Sequence, residues 1–119
     1  MAAARIASFA EFWPFYLRQH ARPGTRAWHY LGTSLTLLCL AGALATRNPW
    51  LAVVMVAAGY APAWIGHFAV EKNRPATFRY PLWSLICDFR LYWTWLTGRL
   101  PGELTKAGVD AEIGPAGNA

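Results

Sequence analysis

Charged residues are scarce in this sequence of 119 residues. They make up 14% of the chain, against roughly 25% in an ordinary soluble domain. By contrast, 55% of the residues are apolar or aromatic, and a short water-soluble chain has too much surface to bury that much apolar area. This composition excludes a disordered chain, a polar linker and a large soluble enzyme. It predicts a membrane-embedded helical protein.

Cysteine is also rare, and two other sequence features are missing. The two cysteines, Cys39 and Cys87, lie in apolar stretches and form no CxxC pair. This excludes a small disulfide framework and predicts buried apolar thiols. No internal repeat is present. Residues 1–10 contain no apolar core before Glu11, so we expect no secretory signal.

Acidic residues are outnumbered by basic ones. Eleven Lys and Arg face six Asp and Glu, which gives a formal net charge of +5. A basic balance can indicate nucleic acid, but here the basic residues lie at the ends of apolar runs. That pattern fits anionic lipid headgroups better. We therefore expect a lipid bilayer as a partner and no nucleic acid.

The apolar pattern predicts two helices of bilayer length joined by a short turn. Residues 26–46 and 50–71 each hold about 20 mostly apolar residues, close to one hydrocarbon thickness of helix. Thr25 is a plausible N-cap for the first of them. Arg47-Asn48-Pro49 forms a tight turn between them, with Pro49 at a favoured first helical position. Together they predict a two-helix transmembrane hairpin.

A shorter helix is predicted on each side of the hairpin. Ser8 and Glu11 form a capping box that opens a helix ending near Gln19, too short to span a bilayer and so expected in the interface. Residues 81–97 form an amphipathic last helix, and Pro101 and Gly102 are expected to end it. The fold class is all-α, with about four helices. Residues 1–104 form a single helical membrane domain and residues 105–119 a flexible tail.

The three histidines are predicted to meet at the open end of the hairpin. His29 lies 19 residues before Asn48 and His67 lies 19 residues after it, so an antiparallel hairpin holds them at one height. His20 follows the first helix and can fold back to the same end. Glu71 lies four residues after His67, on the same helix face.

Three imidazoles and a carboxylate drawn from different helices are typical of a metal site. Without a thiolate, this set suits non-haem Fe²⁺, Zn²⁺ or Mn²⁺. His20, His29 and His67 are candidate metal ligands and catalytic residues. Glu71 is either a fourth ligand or an acceptor for a ring N–H. The alternative without a metal is that the three histidines lie at helix ends, where they are solvated or donate hydrogen bonds to helix carbonyls.

One acid interrupts the apolar last helix. Asp88 is either part of an ion pair with Arg90 or a loop cation, or it is functional, since charge inside an apolar helix is costly. Ser84, Asp88 and Tyr92 recur every four residues and share a face. That face is predicted to meet the hairpin, where it would hydrogen-bond a ligand histidine.

Basic residues predict an orientation and a headgroup site. The closed end of the hairpin, at the turn, carries Arg47. Arg99 and Lys106 would join it if the last helix also crosses the bilayer. The excess at the open end favours a cytoplasmic location for that end. Lys72, Arg74 and Arg79 are candidates to hold the acidic head of an amphiphile. The basic residues of the open end are Arg18, Arg22, Arg26, Lys72, Arg74 and Arg79.

Several motifs together form a recognisable set. They are Phe12-x-x-Phe15-Tyr16-x-x-x-His20, His29-Tyr30-Leu31-Gly32 and Gly66-His67-Phe68-x-x-Glu71-Lys72-x-Arg74-Pro75-Ala76. This set resembles the Mpo-like family of small helical membrane proteins, over residues 9–100. The bacterial branch is similar also in Tyr80-Pro81-Leu82-Trp83-Ser84-Leu85 and Asp88-Phe89-Arg90. The chain departs from the fungal members at Ala21 and Thr25, where those have His and Asn.

The resemblance implies an Fe²⁺-dependent dioxygenase that cleaves the C1–C2 bond of long-chain 2-hydroxy fatty acids. This is fatty acid alpha-oxidation, a shortening by one carbon with O₂ as the second substrate. Three histidine ligands would leave positions for the carboxylate and hydroxyl of the acid and for O₂. The bacterial resemblance implies a multi-pass protein of the bacterial inner membrane. Two alternatives remain open: a haem-binding membrane anchor with paired axial histidines, and a non-catalytic membrane interaction protein.

Overall fold

The computed structural model describes residues 5–110 and 114–115 of the chain. Within those residues there are five α-helices and one short antiparallel pair of strands, and the predicted all-α fold class is confirmed. The helices are α1 (Phe9–Gln19), α2 (Pro23–Thr46), α3 (Trp50–Ile65), α4 (Pro81–Leu96) and α5 (Leu100–Lys106). Strand β1 (Val109–Asp110) pairs with β2 (Gly114–Pro115).

Helix α1 begins and ends where the sequence predicts. The Ser8 hydroxyl accepts a hydrogen bond from the Glu11 backbone N–H at 3.2 Å, which satisfies one free donor of the first turn. The aromatic face of α1 packs against α4 and α5. Phe12 and Tyr16 are completely buried there. The interfacial location of α1 stays a prediction.

Helices α2 and α3 form the predicted hairpin. Helix α2 and the helical segment Trp50–Glu71, which begins with α3, are both long and apolar enough to cross a membrane. Between them Arg47 adopts a left-handed conformation, and Asn48 Oδ1 accepts a hydrogen bond from the Trp50 N–H at 3.1 Å. Helix α2 begins at Pro23, earlier than predicted, because proline fits the first helical turn. Thr25 is therefore inside α2 rather than its N-cap.

Small residues bring α2 and α3 close together. A Cβ atom placed on Gly32 would lie 2.6 Å from the carbonyl oxygen of Gly59, and one on Gly59 would lie 2.5 Å from Thr36 Oγ1. Real side chains do not approach so closely, so both positions need glycine for this crossing. Such contacts are typical of packing between membrane helices. They hold the histidine-bearing ends of the hairpin in contact.

The end of the second hairpin arm is a π-helical turn. Residues Gly66–Glu71 continue α3 with the wider hydrogen-bond pattern, and the turn ends at Lys72, which has a φ of 63°. Turns of this kind are rare and occur often at functional sites. This one contains His67.

After α4 ends at Leu96, the chain forms a further helix, α5. The expectation that Pro101 and Gly102 terminate helical structure is wrong, because both lie in the first turn of α5, where proline is tolerated. After α5, Ala107 and Val109 are also buried. The predicted tail of residues 105–119 therefore starts inside a helix. Residues 111–113 and 116–119 lie outside the described part, and the division at residue 104 stays a prediction.

Two parts of the molecule differ in how they bury apolar side chains. We use the term aromatic core for the buried cluster between α1, α4 and α5, whose central members are Phe12, Tyr16, Tyr80, Leu91 and Leu104. The hairpin instead exposes most of its apolar side chains, as lipid-facing helices do.

Candidate metal centre

The three histidines meet at one point, as the sequence predicts. His20 directly follows α1, His29 lies in the second turn of α2, and His67 lies in the π-helical turn. All three side chains are buried. The Nε2 atom of His29 is 3.0 Å from Nε2 of His20 and 3.1 Å from Nε2 of His67. Among the described residues these three form a group able to hold a metal ion.

The ring of His20 is oriented by the end of α1. Its Nδ1 atom is 2.7 Å from the Tyr16 carbonyl oxygen, one of the last helix carbonyls without a partner in the helix ladder. A carbonyl only accepts, so Nδ1 carries the hydrogen and Nε2 presents its lone pair. The buried Arg26 holds the backbone between α1 and α2 by donating hydrogen bonds to the carbonyls of His20 and Ala21.

The ring of His67 is oriented by Asn73. Its Nδ1 atom is 2.7 Å from Asn73 Oδ1. The Asn73 amide nitrogen donates to the Gln19 backbone carbonyl at 3.1 Å and to Gln19 Oε1 at 3.0 Å. Because the backbone carbonyl only accepts, it fixes which way the amide points. His67 Nδ1 is then the donor, and its Nε2 lone pair faces the other two rings.

Asp88 lies behind His29. Its Oδ1 atom is 3.6 Å from His29 Nδ1 and accepts a hydrogen bond of 2.5 Å from the Tyr16 hydroxyl. Asp88 therefore faces a histidine of the cluster, but at 3.6 Å it does not form the hydrogen bond that the sequence predicts. Asp88 acts on His29 through its charge, which favours a hydrogen on the near nitrogen, Nδ1.

Burial controls the protonation of these groups. It lowers the pKa of His20 well below 6.5, and the neighbouring rings of His29 and His67 lower that pKa further. Burial also raises the pKa of Asp88 to about 7, although the Tyr16 hydrogen bond opposes this shift. Neutral imidazoles are the form that binds a metal.

The cluster fits a cation better than it fits a hydrogen-bonded trio. The Nε2 atoms of His20 and His67 are both acceptors, and His29 has at most one Nε2 hydrogen to offer them. A cation would satisfy all three lone pairs. Separations of 3.0 and 3.1 Å also match neighbouring nitrogen ligands of one ion with bonds of about 2.1 Å.

A small cavity adjoins the three rings. Its volume of about 10 Å³ is roughly that of one ion or water molecule. Ser84 and Thr77 also line it. The Ser84 hydroxyl is buried and has no hydrogen-bond partner among the described residues. An unpaired buried hydroxyl costs about 1–3 kcal/mol, and a water molecule or a polar ligand in this cavity would supply the missing partner.

Glu71 does not face the histidine rings. Its Oε1 atom accepts hydrogen bonds from the Arg22 backbone N–H at 3.0 Å and from the Thr25 hydroxyl at 2.7 Å. The first N–H groups of a helix lack partners and attract a carboxylate. Glu71 thus joins the end of the π-helical turn to the start of α2, and Thr25 supplies a polar contact at the position where the sequence departs from the fungal pattern.

Four other predicted site residues lie away from the rings. Tyr92 is hydrogen-bonded to the Ser34 hydroxyl of α2 at 2.7 Å, so it faces the hairpin but not a histidine. Lys72, Arg74 and Arg79 are exposed and do not line the small cavity beside the rings. Sequence reasoning missed Asn73 and the Tyr16 carbonyl, because an asparagine in a loop and a backbone carbonyl carry no periodic signal.

A larger cavity extends from the histidines along the hairpin. We call it the hairpin groove. It lies between α2, α3 and α4, has a volume of about 380 Å³, and shares His29, Tyr60, Ala63 and Asp88 with the small cavity. Its other lining residues are mostly apolar: Thr33, Thr36, Leu37, Leu40, Met55, Val56, Gly59, Leu85 and Phe89.

Comparison with known proteins identifies a family. The family model described as 2-hydroxy-palmitic acid dioxygenase Mpo1-like matches residues 6–100. This range contains all three histidines, both arms of the hairpin and α4. No curated protein and no solved structure matches the chain.

Proposed function

The chain belongs to the Mpo1-like family, and from that premise we propose that it is an Fe²⁺-dependent dioxygenase. Its substrate is a long-chain 2-hydroxy fatty acid, and it cleaves the C1–C2 bond. One observation carries the proposal: three buried imidazoles present their Nε2 atoms to one point, beside an apolar groove. The first feature suits a metal and the second suits an acyl chain.

Each residue of the site has a proposed task. His20, His29 and His67 hold the ion, while the Tyr16 carbonyl, Asn73 and Asp88 keep their rings in place. Bound Fe²⁺ would supply the site where the 2-hydroxy acid chelates and O₂ is activated. Zn²⁺ fits the same nitrogen set but has no redox chemistry, and Mn²⁺ is the alternative that does.

The proposed reaction needs no added reductant. One 2-hydroxy acid and one O₂ give a fatty acid one carbon shorter, CO₂ and water. Oxidation of C2 from alcohol to acid and of C1 from carboxyl to CO₂ provides the electrons that O₂ takes up. The chain therefore needs only its metal and a dry pocket that excludes competing chemistry.

The polar groups around the site would position the substrate head. The unpartnered Ser84 hydroxyl faces the small cavity and would donate to the substrate carboxylate. Lys72, Arg74 and Arg79 are exposed and would attract the anionic head to the membrane surface rather than hold it at the metal. The basic open end further supports a site at the cytoplasmic face of the bacterial inner membrane.

The direct test is turnover by the purified protein. Detergent-purified protein is loaded with Fe²⁺ and given O₂ and 2-hydroxypalmitic acid labelled at C1. We expect pentadecanoic acid and labelled CO₂. His67→Ala should abolish both products. Phe68→Ala, a change at the exposed neighbour in the same turn, should keep them.

Two results would count against the proposal. Full turnover in His67→Ala would show that the histidine cluster is not the site. A wild-type protein that holds no stoichiometric metal and releases no product would favour the non-catalytic membrane interaction protein.

A further inference from the structure

We infer that the hairpin groove binds the acyl chain of the substrate and that Leu40 and Met55, at its far end, set the preferred chain length. This inference rests on the proposed function for the identity of the head group. It extends the proposed site from the histidines into the groove and names the residues that set the chain length.

The groove and the metal centre are continuous. His29, Tyr60, Ala63 and Asp88 line both the small cavity and the groove. A single ligand can therefore place a polar end at the histidines and the rest of its length in the groove. An amphiphile with one acyl chain matches this division between a polar and an apolar part.

The groove follows the long axis of the hairpin. From His29 to Leu40 along α2 it covers about 16 Å of helix, and from Ala63 to Met55 along α3 about 12 Å. Leu40 and Met55 lie eight and seven residues from Asn48 on opposite arms, so both sit at nearly the same height. Together they form the end of the groove farthest from the histidines.

The lining suits a hydrocarbon chain that enters sideways from a membrane. Leu37, Leu40 and Val56 are partly exposed, so the groove is open along its side. The Thr36 hydroxyl donates to the Gly32 carbonyl at 2.9 Å and is thus already satisfied. The groove runs along the two candidate membrane spans, the direction taken by neighbouring lipid chains.

Chain-length preference tests the inference against a matched control. Leu40→Trp and Met55→Trp shorten the groove, whereas Leu38→Trp adds the same bulk two residues away, at a side chain that is 68% exposed. The measured quantity is the ratio of kcat/KM for 2-hydroxypalmitic acid to that for 2-hydroxyoctanoic acid. The two acids partition differently into detergent, but this difference is the same for every variant. It therefore cancels when the ratios of two variants are compared.

We expect the ratio to fall at least about tenfold in Leu40→Trp and Met55→Trp, the size of effect that one or two unaccommodated methylenes produce. Leu38→Trp should keep the wild-type ratio. If Leu40→Trp, Met55→Trp and Leu38→Trp all keep the wild-type ratio, and the wild type turns over its substrate, the inference is overturned while the proposed function stands.

A second measurement needs neither turnover nor variants. Palmitic acid with a photoreactive diazirine near its methyl end is irradiated with the wild-type protein in lipid vesicles. We expect labelling at Leu40 and Met55 that excess 2-hydroxypalmitic acid removes and added phosphatidylcholine does not. Removal by both competitors equally would show that the groove only contacts bulk lipid, and would contradict the inference.

The two measurements separate the two claims. If the wild type turns over no 2-hydroxy acid of any length, the proposed function fails and the labelling alone decides the groove. Competed labelling at Leu40 and Met55 then still supports an acyl-chain site, and labelling elsewhere overturns it.

Discussion

The aromatic core and the hairpin are both rich in apolar residues, yet they pack in opposite ways. Leu91 of the core has an exposed fraction of 0%, whereas Leu38 and Leu44 of the hairpin are 68% and 73% exposed. The core buries its apolar side chains against one another, whereas the hairpin, which contains the two candidate membrane spans, leaves many of its apolar side chains exposed. Composition alone does not separate these cases, because the two regions use similar side chains for different surroundings.

The candidate metal centre lies where the two regions meet. The hairpin carries His29 and His67, and the end of α1 carries His20. The groups that orient the rings come largely from outside the hairpin: the Tyr16 carbonyl from α1, Asp88 from α4, and Asn73 tied to Gln19. The aromatic core therefore supplies groups that orient the rings, two of which the hairpin carries.

The largest expected difference between the regions concerns leucine truncation. Leu91→Ala should lower the free energy of unfolding by about 2–5 kcal/mol, because it leaves a cavity in a packed core. Leu38→Ala should change it by less than about 0.5 kcal/mol. Denaturant unfolding in detergent, followed by tryptophan fluorescence, measures both. Similar losses in the two variants would remove the distinction between the regions.

The hairpin itself should be sensitive at its helix crossing. Gly32→Ala places a Cβ against the Gly59 carbonyl and should cost about 1–3 kcal/mol of stability. Gly102→Ala, in α5, meets nothing within 4 Å and should be neutral or stabilising by up to about 1 kcal/mol. The same unfolding experiment compares them, and a harmless Gly32→Ala would contradict the close crossing.

The link between α4 and the hairpin can be weakened without touching a ligand. Asp88→Asn removes the charge behind His29 and should weaken metal binding about 10–100-fold. Glu103→Gln is the matched control, since Glu103 contacts Trp13 in the aromatic core. Competition with a chelator measures both affinities. An unchanged affinity in Asp88→Asn would mean that the core does not tune the site.

The smallest expected effect is a pH dependence of the metal-free protein. Burial lowers the pKa of His20 in the folded state, so the unfolded chain takes up its proton first, below about pH 6.5. Stability should therefore decrease as the pH falls through that range, by up to about 1.4 kcal/mol per pH unit. His20→Gln should lose this contribution. Asp88 contributes in the opposite direction, but its contribution cancels when the wild type is compared with His20→Gln. Parallel curves of stability against pH for the two proteins would contradict the assignment of this contribution to His20.

The sequence predicts the backbone of the site but not its details. Counting residues on each side of Asn48 places His29 and His67 at one height, and the structure confirms it at 3.1 Å. Periodicity also places Asp88 on the face of α4 toward the hairpin. These predictions succeed because helix geometry is regular over many residues.

The remaining contacts depend on non-helical geometry. Glu71 ends the π-helical turn and accepts hydrogen bonds from the Arg22 N–H, just before α2, and from the Thr25 hydroxyl, which an α-helical count does not anticipate. Asn73 lies in a loop beyond that turn and reaches both His67 and Gln19. Pro101 resembles a helix terminator in sequence but lies in the first turn of α5 instead. In each case tertiary contacts override the local pattern.

Metal content tests the central claim most directly. The protein and its single variants His20→Ala, His29→Ala and His67→Ala are loaded with Fe²⁺ without oxygen, desalted in detergent and analysed for iron. Phe68→Ala serves as the control, and circular dichroism checks that each variant keeps its helices. We predict one iron per chain in the wild type and in Phe68→Ala, and loss of that iron in each histidine variant. Iron retained in all three histidine variants, or absent from the wild type, would contradict the claim that these histidines form a metal centre.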